Sequence, residues 1–335
     1  MKIYDGFADI ADDFDVLLVD AYGVFWNGSA FYEGSREIME KMVKCGKPVC
    51  IVSNTTQLAD AAINSYRKRG LEPQRHFTDM VTSGDAARET FAAGGLDIDG
   101  NRIFVFGNPR KQIFEQTPYV TVDDPNDADA FYISIPQLTD EQYEKLPALH
   151  QHFYLSRMSG DDGPAWWDSM VIDPFLPQLR ALQKMGLPAI CANPDFRAFE
   201  KPKNGDIALP VVRQGLVAEA YRKMGGRVIE FGKPHPGIFK YAFRQLGIEA
   251  SPKVAMIGDT YRTDIVGALN AGVTPVWCVE CGMAKYETDQ GKSLEEISCG
   301  RLEGVRMIRA FGGVAKSSDL LSRCRAAKFS DYGKL

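Results

Sequence analysis

The chain has 335 residues, 45% of them hydrophobic and 25% charged, a composition that excludes disordered, collagen-like and fibrous classes and leaves ample chain for a buried core. Its 39 Lys+Arg against 44 Asp+Glu give a net charge of −5, so no overall basic field exists to attract nucleic acid or anionic lipid. No uninterrupted apolar run reaches the ~18 residues that a membrane-spanning helix needs.

At roughly 150 residues per domain, the length predicts two domains, or one domain carrying a large insertion. The cysteines, Cys45, Cys50, Cys191, Cys278, Cys281, Cys299 and Cys324, are odd in number and scattered. No charged n-region followed by an apolar h-region opens the sequence, and both features point to a reducing, cytoplasmic setting. Cys278 and Cys281 have no second ligand pair at zinc spacing and read as two partly buried thiols.

Short apolar runs alternate with helical periodicity, which predicts an α/β class built on a parallel sheet. The first run, Val16 to Val19, ends in Asp20 and is followed at once by Gly23. A helix near Ser35 to Cys45 leads to the run Pro48 to Val52, which ends in Ser53-Asn54-Thr55. From about Ala86 to Arg227 the chain carries strands of its own, Ile103 to Phe106, Phe131 to Ile135 and Pro188 to Ala192. Helices near Thr139 to His150 and Pro174 to Met185 accompany them, and the stretch is long enough for an inserted domain. We therefore expect residues 86–227 to be an insertion in a core made of residues 1–85 and 228–335. Gly160 to Trp167 has turn composition and predicts a loop.

Beyond the insertion, Arg227 to Phe231 reads as a strand running into Gly232-Lys233-Pro234, and Pro236 to Leu246 as a helix. Val254 to Ile257 is a strand ending in Gly258-Asp259, followed by a helix from about Thr263 to Ala271 and the strand Pro275 to Cys278. A last helix near Ser317 to Ala327 carries no assigned chemistry. Ligands of open α/β sheets bind at the carboxyl ends of the strands. The polar ends of these four strands, at Asp20, Ser53-Asn54-Thr55, Lys233 and Asp259, are expected to converge on one crevice.

Taken singly these residues have ordinary explanations. Asp20 serves as well for a strand-end cap, Thr55 for a helix cap, Asp264 for the first turn of a helix and Lys233 for a surface lysine. Together, and in this order, they supply a nucleophile, phosphate donors, a compensating cation and metal carboxylates. The stretches Val19-Asp20-Ala21-Tyr22-Gly23-Val24, Val52-Ser53-Asn54-Thr55, Gly232-Lys233-Pro234-His235-Pro236 and Gly258-Asp259-Thr260-Tyr261-Arg262-Thr263-Asp264-Ile265 resemble the haloacid dehalogenase (HAD) superfamily, specifically its NagD-like IIA branch. Ala192-Asn193-Pro194-Asp195 resembles a segment of that branch's cap.

The resemblance implies a Rossmann-like parallel-sheet core with a large inserted α/β cap, and a Mg2+-dependent phosphatase of small phosphorylated metabolites such as sugar phosphates or p-nitrophenyl phosphate. Asp20 would attack phosphorus and form an aspartyl-phosphate. Mg2+ would sit among Asp20, Asp259, Asp264 and the backbone carbonyl of Tyr22, the oxygens a hard cation prefers. Lys233 would neutralise charge between Asp20 and the phosphoryl group, while Ser53, Asn54 and Thr55 would hold phosphoryl oxygens. The insertion would close as a cap and choose the substrate. In it Trp166, Trp167 and the segment from Asn193 through Asp195 to Arg197 are candidates for contacting the leaving group, though the tryptophans read more readily as packing residues; Arg197 and Arg157 could read an anionic substrate, surface arginine being the commoner fate. Caps of this kind also mediate dimerisation, so a homodimer is an open expectation.

The family's usual first motif has a second Asp two residues after the nucleophile, acting as general acid and then base. Here Tyr22 stands in that place. A phenol of pKa near 10 is a poor proton acceptor at pH 7, and general acid–base groups contribute about 10²–10⁴ in rate. Slow turnover, a substrate whose leaving group needs no acid, and ligand binding without efficient turnover are the outcomes that Tyr22 opens. A nicotinamide-binding enzyme is disfavoured, because no Gly-x-Gly-x-x-Gly follows the first strand.

Overall fold

The computed structural model describes residues 2–158, 165–202 and 208–313, so the helix expected near Ser317 to Ala327 lies outside the described residues. The chain divides into two compact units. One contains the residues up to Ser53, Gln57–Thr82, and the chain from Gly232 onward; the other contains Asn54–Thr56 and Ser83–Phe231.

The first unit is built on a seven-stranded, fully parallel sheet in the order Ile3–Tyr4, Arg306–Ile308, Thr274–Cys278, Val254–Gly258, Val16–Val19, Val49–Ser53, Asp79–Thr82. Parallel strands covered on both faces read as unbroken apolar runs. The Val16–Val19, Val49–Ser53 and Val254–Gly258 strands are accordingly buried at every position. Leu17 and Val19 meet Ile38, Met39 and Met42, the apolar stripe of the Ser35–Lys44 helix. The Pro236–Leu246 helix begins at a proline, which has no N–H to lose in a first turn.

Register aligns the ends of three central strands, since Val19 pairs with Ile51 on one side and with Ile257 on the other. Asp20 follows immediately, its N–H donating to Ile257 O at 2.9 Å. Helix follows strand differently on this edge, because Tyr261–Ile265 forms a π-helical turn before the Val266–Ala271 α-helix.

The second unit has a five-stranded parallel sheet in the order Val228–Glu230, Ala189–Cys191, Ala130–Ile133, Arg102–Phe106, Val120–Val122. It also has an antiparallel sheet of Gln137–Thr139, Ala165–Ser169 and Tyr154–Met158, and an Arg197–Glu200/Leu209–Val212 hairpin. Two expectations are corrected here. The strand before Lys233 pairs with Ala189–Cys191, so it is not a member of the sheet that carries Asp20; an apolar run identifies a strand but not its neighbours. The loop expected from Gly160 to Trp167 is a strand from Ala165 onward, where Trp166 pairs with Thr139 on one side and Arg157 on the other. Two β-forming tryptophans with a partner on each flank outweigh the turn residues before them; residues 159–164 are not among those described.

Inside the second unit lies a buried polar network. Arg213 Nη1 donates to Asp168 Oδ1 at 3.1 Å and to Val212 O at 3.0 Å, and Nη2 to Glu200 Oε1 at 2.7 Å. Gln137 donates to the same Asp168 oxygen at 2.9 Å and accepts from Asn108 at 2.9 Å. Among the described residues no helix is long and apolar enough to cross a membrane.

Candidate active site

Lys233 is the centre of the site. Its side chain is 1% exposed, and three oxygens lie close to Nζ: Asp20 Oδ1 at 2.5 Å, Val52 O at 2.7 Å and Asp264 Oδ1 at 2.8 Å. An ammonium has three protons to give, so the strand ends at Val19 and Ser53 and the turn at Asp264 are tied through one buried cation. The contact with Asp264 Oδ1 is an ion pair; no donor meets that oxygen in hydrogen-bond geometry. Its other oxygen, Oδ2, accepts from Thr260 N–H at 3.0 Å, so Asp264 both closes its own turn and faces Lys233.

Asp259 lies on the other side. Met283 N–H donates to its Oδ2 at 2.5 Å, and Thr260 Oγ1 is 3.4 Å from Oδ1. The backbone crowds this carboxylate, which requires glycines. A Cβ at Gly23, whose φ is +83°, would stand 2.1 Å from Asp259 Oδ2, and one at Gly282, φ +55°, would stand 2.0 Å from the same atom. Gly23 thereby sets the main chain just after Tyr22 against the carboxylate. Tyr32 closes the edge, its hydroxyl accepting from Gly282 N–H at 3.3 Å. Burial first, then the nearby Cys281 and Asp259, push this phenol up.

Asp20, Asp259 and Asp264 each offer an oxygen, all within 4.8 Å of one another. Lys233 pairs with two of the three, Asp20 and Asp264. Burial pushes Asp259 well above the usual carboxylate range, and the charges of Asp264 and Asp20 push it further. That is the expected response of an acidic cluster short of positive charge. Carboxylate oxygens at this spacing, one of them with no hydrogen-bond donor, fit a hard divalent cation such as Mg2+.

The other residues singled out in the sequence fall as follows. Ser53 is buried at the end of its strand, paired with Thr82. Asn54, Thr55, Asn193 and Asp195 belong to the second unit. There Asn54 Nδ2 donates to Asp195 Oδ1 at 2.9 Å, and Asn193 Oδ1 accepts from Asp195 N–H at 3.0 Å. Thr55 O accepts from Ser83 Oγ and Gly84 N–H where the Ser83–Ala92 helix begins. Tyr22 is half-buried and packs against the apolar cluster that includes Phe25 and Trp26.

Trp166 is buried in its strand, and Trp167 stacks on Tyr143 with ring centroids 3.4 Å apart while donating to Asp140 at 2.7 Å. Arg197 donates to the carbonyls of Met170 and Pro210. Cys278 and Cys281 are both buried and unbridged.

Sequence reasoning missed the Val52 carbonyl, Met283 N–H and Tyr32. The first two are main-chain groups that carry no residue signature. The strand-end rule applied to Thr274–Cys278 would have pointed to Gly282 and Met283, but nothing marks Tyr32.

Two family models match the chain, a haloacid dehalogenase-like hydrolase model over residues 17–116 and a HAD-hydrolase-like model over residues 230–293. The first contains Asp20 and Ser53, the second Lys233, Asp259 and Asp264. The chain belongs to the haloacid dehalogenase superfamily. The acid sugar phosphatase of Staphylococcus epidermidis is 35% identical over 97 residues, which are 27% of this chain and 37% of that protein. The chain thus spans little more than a third of the length of that curated relative. A haloacid dehalogenase-like hydrolase from Brucella suis 1330 superposes with a TM-score of 0.70 at 20% identity, covering 92% of this chain and 100% of the other. NagD from E. coli K-12 superposes with a TM-score of 0.54 at 15% identity, covering 89% and 96%. These likenesses establish a shared HAD fold.

Proposed function

We propose that this HAD protein is a Mg2+-dependent phosphatase of small phosphorylated metabolites, working through an aspartyl-phosphate on Asp20 in the cytoplasm, with residues 86–227 as its substrate-choosing cap. The observation that carries the reading is the carboxylate trio Asp20, Asp259 and Asp264, two of which pair with the buried Lys233. Such a set has charge to accept a cation, and a cation beside Asp20 is what a phosphoryl group needs. The acid sugar phosphatase among the relatives agrees with it.

Asp20 is the most exposed member of the pair it forms with Lys233, 14% against 1%, and so is the oxygen nucleophile that a substrate reaches. Lys233 pairs with the carboxylate in the resting site and with the phosphoryl oxygens as charge moves onto them. Val52 O and Asp264 hold that ammonium in place throughout. Ser53, buried next to Val52, gives a hydroxyl donor to a phosphoryl oxygen. Asp20, Asp259, Asp264 and the Tyr22 carbonyl would hold Mg2+, which would supply neutralisation of phosphate charge. The glycines at 23 and 282 leave Asp259 the room to orient toward it.

The test is turnover of p-nitrophenyl phosphate and a sugar phosphate panel with Mg2+, for wild type and Asp20→Asn. The variant should lose at least about 10³-fold, the scale for removing a nucleophile. Equal activity in the variant refutes the assignment of Asp20. Phosphate-ester binding by wild type without any turnover favours instead a ligand-binding protein that has lost catalysis, the alternative that Tyr22 keeps in view.

A further inference from the structure

Resting on the cation site of that reading, we infer that Trp277 and Tyr32 are positioning residues of the metal centre. They lock the chain from Trp277 to Met283 around Asp259 and so aim its carboxylate at the ion. Both act through Asp259, and neither belongs to the motifs that mark the site in the sequence.

One segment grips Asp259 at two atoms. The strand Thr274–Cys278 lies beside Val254–Gly258 with Trp277 paired with Gly258. Its fully buried indole reaches the next residue, and Nε1–H donates to Asp259 O at 3.0 Å. The chain then turns back, and Met283 N–H donates to Asp259 Oδ2 at 2.5 Å. The first bond fixes the main chain of Asp259 and the second its side chain, as the partners that orient a metal ligand do. The turn between the two donors is itself tied down, Val279 N–H to Ile308 O at 2.9 Å and Glu280 N–H to Arg309 O at 2.8 Å. Tyr261 packs its ring against the indole, with centroids 5.1 Å apart.

Tyr32 closes this clamp from the loop before the Ser35–Lys44 helix. Its N–H donates to Phe25 O at 3.0 Å and its carbonyl accepts from Ser35 Oγ at 2.6 Å, so the ring stands on a fixed base. Its hydroxyl accepts from the N–H of Gly282, the residue before Met283, at 3.3 Å. Gly282 has to be a glycine, because a Cβ there would stand 2.0 Å from Asp259 Oδ2. A glycine is also the residue with the most backbone freedom to lose, and the Tyr32 bond restrains it beside the donor that holds Asp259. The restraint has a purpose in an acidic cluster. Oxygens of Asp20, Asp259 and Asp264 lie within 4.8 Å of one another and repel until a cation arrives. A carboxylate held at both ends cannot relieve that repulsion by turning away, and a ligand aimed beforehand loses less freedom on binding.

The experiment is Mg2+ binding to the whole chain by titration calorimetry, with urea unfolding in chelator, for wild type, Trp277→Phe, Tyr32→Phe and Tyr261→Phe. Removing a group that orients a metal ligand costs about 10–100-fold in affinity, the loss expected for Trp277→Phe. Tyr32→Phe acts one hydrogen bond further out and should weaken binding by about 3–10-fold. Tyr261→Phe is the control. It removes a hydroxyl from the same wall that donates to Arg301 O and not to the clamp, and should keep wild-type affinity. A merely structural role lowers stability in chelator and leaves Mg2+ affinity alone. Wild-type affinity in Trp277→Phe or in Tyr32→Phe therefore overturns the assignment of that residue, and an equal loss in Tyr261→Phe overturns the inference. If Trp277→Phe does not fold, Tyr32→Phe decides alone. With 4-nitrophenyl phosphate both variants should need more Mg2+ for half activation and regain kcat to within about twofold of wild type once Mg2+ saturates; a kcat that stays low overturns the positioning role. No Mg2+ uptake by wild type fells the cation reading and this inference with it. Uptake without turnover of any ester fells the phosphatase reading alone, and the affinities still decide the clamp.

Discussion

The molecule buries two sets of charged side chains, and they differ in the cation that joins them and in how closely their carboxylates crowd. In the second unit Arg213 faces Asp168 and Glu200, and Gln137 and Asn108 extend the network with amide hydrogen bonds. A guanidinium carries five N–H donors in a rigid fork, so two carboxylates and a carbonyl are within its means. In the first unit Lys233 pairs with Asp20 and Asp264, and oxygens of these two and of Asp259 lie within 4.8 Å of one another. The lesson is that burial of charge is not by itself a mark of chemistry. The set joined by a five-donor guanidinium links strands of its unit, and the set that brings three carboxylate oxygens within 4.8 Å of one another is the one with the spacing to take up a cation.

The comparison breaks most visibly at Arg213. Arg213→Met leaves Asp168 and Glu200 buried without their cation, and should cost about 3–5 kcal/mol in urea unfolding. A loss under about 1 kcal/mol would mean that the network does not hold these strands together. Next comes the metal. Mg2+ at 100 times its dissociation constant should raise stability by about 2.7 kcal/mol over protein held in chelator, and Asp259→Asn should lose most of this shift. An equal shift in both proteins would place the ion elsewhere.

A smaller effect of opposite sign separates the two sets more sharply. In chelator, Asp259→Asn removes one of three crowded anions and should stabilise the protein, by about 1 kcal/mol for one relieved like-charge contact; a loss of stability there would mean the cluster is already balanced. The smallest effect is at the surface. Arg102 holds the Asp129 carboxyl down to about 2, below its ordinary range. A lowered folded pKa gives stability that is present above the unfolded value of about 3.9 and is lost as pH falls toward 2. Asp129→Asn should therefore cost under about 1 kcal/mol at pH 7, with the difference from wild type fading between pH 4 and pH 2 in thermal melts.

The parts of the fold legible in the sequence are those where one physical rule acts alone. Val16 to Val19, Pro48 to Val52 and Val254 to Ile257 are apolar at every position because helices cover both faces of a parallel sheet, and they are strands within a residue or two of those limits. Asp20, Lys233, Asp259 and Asp264 could be grouped because their turns join unusual residue types in a fixed order. What periodicity cannot supply is pairing. Val228–Glu230 was readable as a strand, but its place beside Ala189–Cys191 depends on register with residues 39 positions earlier. The antiparallel strands Tyr154–Met158 and Ala165–Ser169 were hidden for a related reason, since a strand bordered by turn residues looks like the turn. Main-chain groups in the site were beyond reach altogether. Val52 O and Met283 N–H act through position, and any side chain could have stood at either residue.

The main-chain acceptor on Lys233 restricts what evolution or engineering can place there. A carbonyl cannot be mutated away, and three oxygens within 2.8 Å of a buried Nζ suit a compact tetrahedral ammonium. Arginine keeps the charge but brings a flat, wider group, methionine keeps the length but strands three oxygens, and glutamine offers one amide where three contacts converge. Drift at this codon therefore has no conservative exit, and the lysine and its carbonyl must be inherited as a pair.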